Sequence, residues 1–391
     1  MEHASDILLS LFIVFVAAQI GAEIAQRLKL PGVVGEIAAG CVVGPSLLGW
    51  IQPSEALDVL AEIGVVLLLF SVGLETRLAD LQKVGRSAFL VGVLGVVLPF
   101  VLGIGWAISA GFPINKSLFI AAALVATSAG ITARVLQELN ALQRIESRVI
   151  LGAAVIDDIL AMLLLGVVVS LQGGGDLEWQ HLLFVLGGAV GFIAVVGFVG
   201  TRAMRKKSHW LEAPINPLSP LTIVLALCLG LAFLSTKFGL AAIIGAFLAG
   251  MLASETQQRE SLEHQTQPLL ALLTPFFFVL TGAKIELALL ASADALLMLA
   301  VVTLIAIVSK LGGGFLGALA LGKRSALIVG VGMVPRGEVG VVIASLGLAS
   351  GVFSPKMYAV IVAMSLLTAM ITPPVLAVLL RRSAARNVSM R

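Results

Sequence analysis

Apolar windows long enough to cross a lipid bilayer follow one another along almost the whole chain, each closed by charged residues or by a Gly- or Pro-containing turn. They fall at about 7–26, 33–50, 57–75, 86–110, 117–137, 148–171, 180–203, 217–236, 239–255, 266–283, 294–320, 324–349 and 356–380. This pattern predicts thirteen transmembrane helices. The first window follows a short acidic stretch, Met1 to Asp6, and is itself of spanning length, so it reads as a helix and not as a cleaved signal.

The windows repeat. Val33-Val34-Gly35-Glu36-Ile37-Ala38-Ala39-Gly40 aligns with Ile243-Ile244-Gly245-Ala246-Phe247-Leu248-Ala249-Gly250 at an offset of 210, and Gly73 aligns with Gly282 at 209. Ala126 to Ala133 aligns more weakly with Met333 to Gly340 at 207. Near-constant offsets in three places predict two copies of six spans, 7–171 and 217–380, joined by a linking helix at 180–203. A shift of seven spans is odd, so the copies have opposite orientation in the membrane. Inverted repeats that meet at the midplane are the architecture of secondary transporters.

Composition fixes the medium. With 59% hydrophobic and 12% charged residues and a mean hydropathy of +1.09, the chain is a polytopic membrane protein and not a soluble domain. With the N-terminus outside, nineteen of the 25 Lys and Arg residues fall in inner loops and four, Lys116, Lys237, Lys284 and Lys356, in outer ones. Lys310 and Arg336 remain within the membrane. The positive-inside rule therefore gives an outer N-terminus and a cytoplasmic C-terminus. Trp50, Trp106, Trp179 and Trp210 fall near span ends, where interfacial aromatics belong. The positive residues are scattered, with no basic, aromatic-interleaved patch for nucleic acid. Cys41 and Cys228 lie in apolar segments and read as packing residues.

The candidate chemistry lies in what the duplication does not copy. Asp157 and Asp158 sit about ten residues, or roughly 15 Å, into a hydrocarbon layer about 30 Å thick, where ionised groups are costly and mark function. They map onto Met364 and Ser365 in the second copy. Lys310 maps onto about Gly103 and reaches a similar depth. A buried lysine and a buried carboxylate relieve each other's desolvation, so a midplane contact between Lys310 and one of the aspartates is expected. Adjacent helical residues point about 100° apart. One carboxylate can hold Lys310 while the other faces water, where an oxygen site suits a proton or a hard monovalent cation.

Two mid-depth segments at equivalent repeat positions are poor as continuous helix. Ala126-Thr127-Ser128-Ala129-Gly130 and Met333-Val334-Pro335-Arg336-Gly337-Glu338-Val339-Gly340 carry the small, hydroxyl, Pro and Gly residues expected where a helix unwinds. Unwound carbonyls and half-helix ends can coordinate a cation. Thr127 and Ser128 either line such a site or satisfy their own backbone. Arg336 and Glu338 are expected to neutralise each other or the helix ends. Glu23, Glu36, Glu62 and Glu75 lie close to span ends and are expected to be solvated or loop-paired. His3, His181, His209 and His264 fall at termini or span ends, which removes a histidine relay or metal cluster at depth. Gly173-Gly174-Gly175 follows no strand and is an external loop, not a phosphate cradle, while Gly312-Gly313-Gly314 and Gly317 read as close helix packing.

The Ala153-Ala154-Val155-Ile156-Asp157-Asp158 segment, Lys310 and Val334-Pro335-Arg336-Gly337-Glu338, with Gly35-Glu36 and Gly73-Leu74-Glu75-Thr76-Arg77, give the chain its likeness. It resembles the monovalent cation:proton antiporter-2 family over essentially its whole length. The resemblance implies an all-α antiporter fold with two crossed broken helices, in a homodimer held by a static dimerisation domain, about 7–75 and 217–283. The mobile ion-translocating core would be about 86–171 and 294–380. It implies sodium or lithium exchanged for protons, with Asp158 as the ion- and proton-binding carboxylate, Asp157 as the partner of Lys310, and Thr127 and Ser128 lining the site. Asp in place of Asn before the second carboxylate favours electrogenic exchange. A plasma membrane, bacterial and inner, is implied, with no cofactor. The chain stops about ten residues after the last span, so no nucleotide-binding domain is expected. Among rivals, a sodium-coupled solute symporter would need a larger polar pocket and no intramembrane lysine, and a potassium/proton antiporter differs only in oxygen placement. An aspartyl protease needs carboxylates converging from separate helices, and a channel needs a filter or a charged ring.

Overall fold

The computed structural model describes residues 2–52, 54–76, 78–172, 179–207, 219–238, 240–285 and 287–389. The Gly173-Gly174-Gly175 loop, His209, Trp210 and Arg391 lie outside the described residues, as do the side chains of His3, Arg77, Trp179, His181, Arg205, Lys206, Lys207, Glu338 and Arg386.

Apolar runs without access to water must satisfy their backbone internally, and every described element is helical. In chain order these are α1 (Glu2–Arg27), α2 (Gly32–Val43), α3 (Glu55–Leu74), α4 (Leu78–Ser109), α5 (Ile114–Ala123), α6 (Ala129–Glu138), α7 (Ile145–Gln172) and α8 (Trp179–Ala194). A π turn, Val195–Gly200, carries α8 into α9 (Thr201–Lys207). Then follow α10 (Ser219–Lys237), α11 (Ala242–Ser254), α12 (Arg259–Ala283), α13 (Ala293–Gly317), α14 (Lys323–Gly332), α15 (Glu338–Ala349) and α16 (Pro355–Ser389). Eight helical runs are long and apolar enough to cross a membrane. Starts follow local chemistry: Ser54 and Ser292 accept from the amides of Leu57 and Ala295, and Pro31 and Pro113 precede α2 and α5.

The outward faces are apolar, with Phe12, Leu297, Leu304 and Phe233 each at least 60% exposed. In water such a belt would be a liability, but toward lipid it is the ordinary surface of a membrane protein. Little hydrophobic force then remains between helices, and close backbone approach does the packing. In one group, α1 lies on α2, α2 and α3 on α12, α3 on α11, and α10 on α11. In the other, α4 lies on α13, α7 and α5, α14 and α16 pack on α13, and α15 packs on α16 and α5.

Glycine makes the crossings of the first group possible. A Cβ on Gly40 would stand 2.0 Å from Val279 O, and one on Gly282 2.0 Å from Ile37 O. The same holds for Gly73 against Phe247 O at 2.2 Å and Gly250 against Phe70 O at 2.1 Å. The residues that recur at offsets of 209 and 210 in the sequence thus occupy reciprocal positions in two crossings.

Several boundaries differ from the apolar windows. Helix α4 begins at Leu78 and α12 at Arg259, because a helix can run beyond the hydrocarbon with polar residues that a hydropathy window rejects. The windows at 117–137 and 324–349 are each two helices, as their small and Pro-containing centres implied. The π turn within 180–203 carries Gly197 and Gly200, which in a span already rich in glycine do not single it out.

Gly250→Ala should destabilise the purified protein by about 1–3 kcal/mol, the usual cost of overpacking. Gly230→Ala on α10, with nothing within 4 Å of its added Cβ, should be neutral or stabilising; thermal unfolding of both variants in detergent checks the contrast.

Candidate functional site

The two interrupted helices cross where they unwind. Helix α5 stops at Ala123 and α6 restarts at Ala129, leaving Ser128 extended, while α14 stops at Gly332 and α15 begins after Gly337, whose φ of −149° and ψ of −137° are not helical. Pro335 lacks an amide hydrogen and drives the residue before it out of helical geometry. The strands of backbone so freed hold each other: Ser128 N donates to Pro335 O at 2.8 Å, and Thr132 Oγ1 to Gly332 O at 2.8 Å. Gly337 permits the approach, since a Cβ there would lie 2.5 Å from Ser128 Oγ.

The end of α5 exposes carbonyls with no helical partner, a site of partial negative charge. Two cations answer it. Lys310, on α13, donates to Val125 O at 2.6 Å, to Gly95 O of α4 at 2.8 Å and to Asp157 Oδ1 of α7. An ammonium has three donors, and three acceptors are present. Lys310 and Asp157 are both 0% exposed. Arg336 donates to Val125 O at 3.4 Å, Ala126 O at 3.2 Å and Ala306 O at 3.1 Å, and its own amide is held by Thr368 Oγ1 at 3.1 Å. Arg336 thus reaches carbonyls freed at the break after α5.

Asp158 lies beside the pair but faces elsewhere, bordering a cavity of about 20 Å³ with Leu69, Ala129, Ala154 and Phe247. On the other side a cavity of about 810 Å³ runs from Asp58, Glu62 and Lys284 to Arg336, Gly337 and Ser365. Three buried polar atoms near the crossing lack a hydrogen-bond partner: Asp157 Oδ2, Thr127 Oγ1 and Arg336 Nε. A buried polar atom left unmatched is costly, so such a cluster points to groups that change partners.

The structure thus brings Asp157, Lys310, Arg336 and the Val125–Ser128 break together and sets Asp158 next to them. The carbonyls of Gly95, Val125 and Ala306 were not foreseen, since backbone acceptors leave no residue-type signal beyond a glycine among apolar residues. Glu23 and Glu62 are exposed, as expected for span ends, whereas Glu75 is half-buried and its carboxylate accepts from Gln137 of α6. Glu36 corrects the expectation: it is only 5% exposed, because short α2 abuts α6, and its carboxylate stands 4.0 Å from Arg134. Among the described residues, no group of His, Cys, Asp and Glu could hold a resident metal.

Discontinuous helices that meet at a buried charged site are the construction of secondary transporters. The chain belongs to the sodium/hydrogen exchanger family, whose transmembrane model matches residues 10–382. It is 37% identical to the high-affinity Na(+)/H(+) antiporter NhaS3 of Synechocystis sp., over 95% of this chain and 89% of that protein. It is 35% identical to the Na(+)/H(+)-K(+) antiporter GerN of Bacillus cereus, over 93% of this chain and 94% of that one. The fold matches the sodium proton antiporter MjNhaP1 of Methanocaldococcus jannaschii with a TM-score of 0.69 at 19% identity, covering 100% and 99% of the two chains.

Removing one partner of a buried pair leaves the other charge uncompensated, at about 3–5 kcal/mol. Lys310→Ala should therefore lower unfolding stability by that amount. Asp157→Asn combined with Lys310→Gln, which keeps amide hydrogen bonding, should recover most of the loss in a double-mutant cycle measured by denaturation in detergent.

Proposed function

We propose that the protein is a sodium/proton antiporter that moves sodium or lithium out against entering protons by alternating access. The observation that carries the reading is Asp158 beside the closed Lys310–Asp157 pair, at the crossing of two broken helices in a chain of this family. Asp158 is the carboxylate that takes either the cation or a proton, Asp157 holds Lys310, and Thr127 and Ser128 line the path. Arg336, with Glu338, balances the helix ends. Potassium is a second substrate to test, because one relative carries it in its name.

The helices group into thirteen spans when α5 with α6, α8 with α9, and α14 with α15 are each taken as one. Reciprocal glycine crossings support two inverted repeats, 7–171 and 217–380, around the linking helix 180–203. The packing groups support a mobile core, 86–171 and 294–380, against a static domain, 7–75 and 217–283, through which two copies dimerise in a bacterial plasma membrane. With the N-terminus outside, the large cavity opens outward.

Charge sets the stoichiometry. Asp157, Asp158 and Lys310 carry a net negative charge when all are ionised, and net charge is costly to carry across the membrane. A cation on Asp158 neutralises the set. One proton on Asp158 would make exchange electroneutral. A second proton, carried by Lys310 and lost when its pair with Asp157 opens in the cation-bound state, makes it two protons per cation; the cation-loaded set then crosses with one negative charge and the proton-loaded set with none, so the exchange is driven by voltage.

Asp158→Asn keeps volume and hydrogen bonding but can neither release a proton nor balance a cation. The variant should stay folded and lose exchange in proteoliposomes loaded with a pH-sensitive dye; wild-type rates would remove Asp158 from this role. Under an imposed potassium–valinomycin potential, wild-type exchange should follow the voltage and Lys310→Gln should lose that dependence before it loses cation binding. Indifference of the wild type to voltage would reduce Lys310 to a structural partner of Asp157.

A further inference from the structure

The large cavity opens at the end of α3 that carries Asp58, whereas toward the Glu75 end the space beside Asp158 shrinks to about 20 Å³. Helix α6 closes that second end, and it is tied there by polar side chains. Gln137 Nε2 donates to Ser71 Oγ at 3.1 Å and to Glu75 Oε1 at 3.2 Å. Glu138 Oε2 accepts from Gly32 N, the first amide of α2, at 3.0 Å, and Glu138 Oε1 takes Arg134 Nε at 3.0 Å. The Arg134 guanidinium stands 4.0 Å from Glu36 Oε1, while Glu36 Oε2 is buried with no hydrogen-bond partner.

These contacts join parts with different duties. Helix α6 begins directly after the Val125–Ser128 break, so it travels with the ion site. Helices α2 and α3 belong to the other packing group. A bond across the boundary between them is made in one conformation and broken in the other. The character of the set suits that use. Its hydrogen bonds are short-range and side-chain-borne, so they open without unwinding a helix. Arg134 is shared between Glu138 and a half-satisfied Glu36, which leaves it a second partner when α6 shifts.

We propose that Glu36, Arg134, Gln137 and Glu138 form a latch that holds the Glu75 end shut, and that each transport cycle must open it. The latch rests on the alternating-access reading of the site, and the experiment separates the two. In the full chain with Cys41→Ala and Cys228→Ala, Ser71→Cys and Gln137→Cys are joined by a short, reducible bis-methanethiosulfonate linker and the protein is assayed in proteoliposomes for sodium/proton exchange. Linked protein should exchange at less than about a tenth of the reduced rate, a population shift the link alone enforces, and reduction should restore it. Equal rates with and without the link overturn the latch while leaving antiport intact. Absence of exchange from wild-type protein instead overturns the antiport reading.

A second variant guards against a link that damages the fold. Glu36→Gln with Gln137→Ala removes the charged Arg134–Glu36 contact and both Gln137 bonds to α3 without a crosslinker, and these losses should favour the open state by about fivefold or more. Amide hydrogen exchange should rise by that factor at residues 69–76 and 129–138 and stay at the wild-type level in 355–370. Unchanged exchange at 69–76 overturns the latch, and so does a uniform rise across all three segments.

Discussion

A lysine ammonium in the middle of a hydrocarbon layer is the constraint to which the rest of the molecule answers. Desolvation on that scale is offset only when each of its three hydrogens meets an acceptor and a negative charge lies close by. Here the acceptors come from α4, from α7 and from the break that follows α5. One of them exists only because α5 has unwound. The broken helix and the buried charge are thus one device: without the break, Val125 O would be spent inside a helix; without Lys310 and Arg336, the freed carbonyls would be buried orphans.

The same economy of space governs the scaffold. In lipid, apolar side chains gain little by leaving the solvent, so helices that must keep their positions do so through backbone contact. The crossings at Gly40, Gly73, Gly250 and Gly282 place carbonyl oxygens where a side chain would otherwise stand. The helices around the charged pair are also tightly set, with Gly313 against Leu94 O. Rigidity on both sides of a boundary is what allows one body to shift against another as a unit, since packed surfaces deform poorly.

Much of this was legible in the chain. Hydropathy located the apolar segments, and the constant offsets located the glycines that later proved to face one another. The aspartates and Lys310 stood out because ionisable residues at depth are rare, and the likeness to an antiporter family was carried by those residues and the Pro335 segment. What stayed hidden has physical reasons. Helix ends beyond the bilayer, such as Leu78 and Arg259, obey water and not hydrocarbon. Glu36 was misjudged because depth along a helix does not report what stands beside it. The backbone acceptors of Lys310 were invisible, because a carbonyl belongs to every residue alike.

That last property has a consequence for how the site will look to genetics. Two of the three groups that hold Lys310 are main-chain oxygens, Gly95 O and Val125 O, and no substitution deletes a main-chain oxygen. A scan of side chains would assign the whole of the grip to Asp157 and register positions 95 and 125 only through bulk, as sites tolerant of some small residues and intolerant of large ones. Backbone ester replacement at the 95–96 and 125–126 linkages, which weakens the carbonyl without altering any side chain, is the perturbation to which those two ligands would respond.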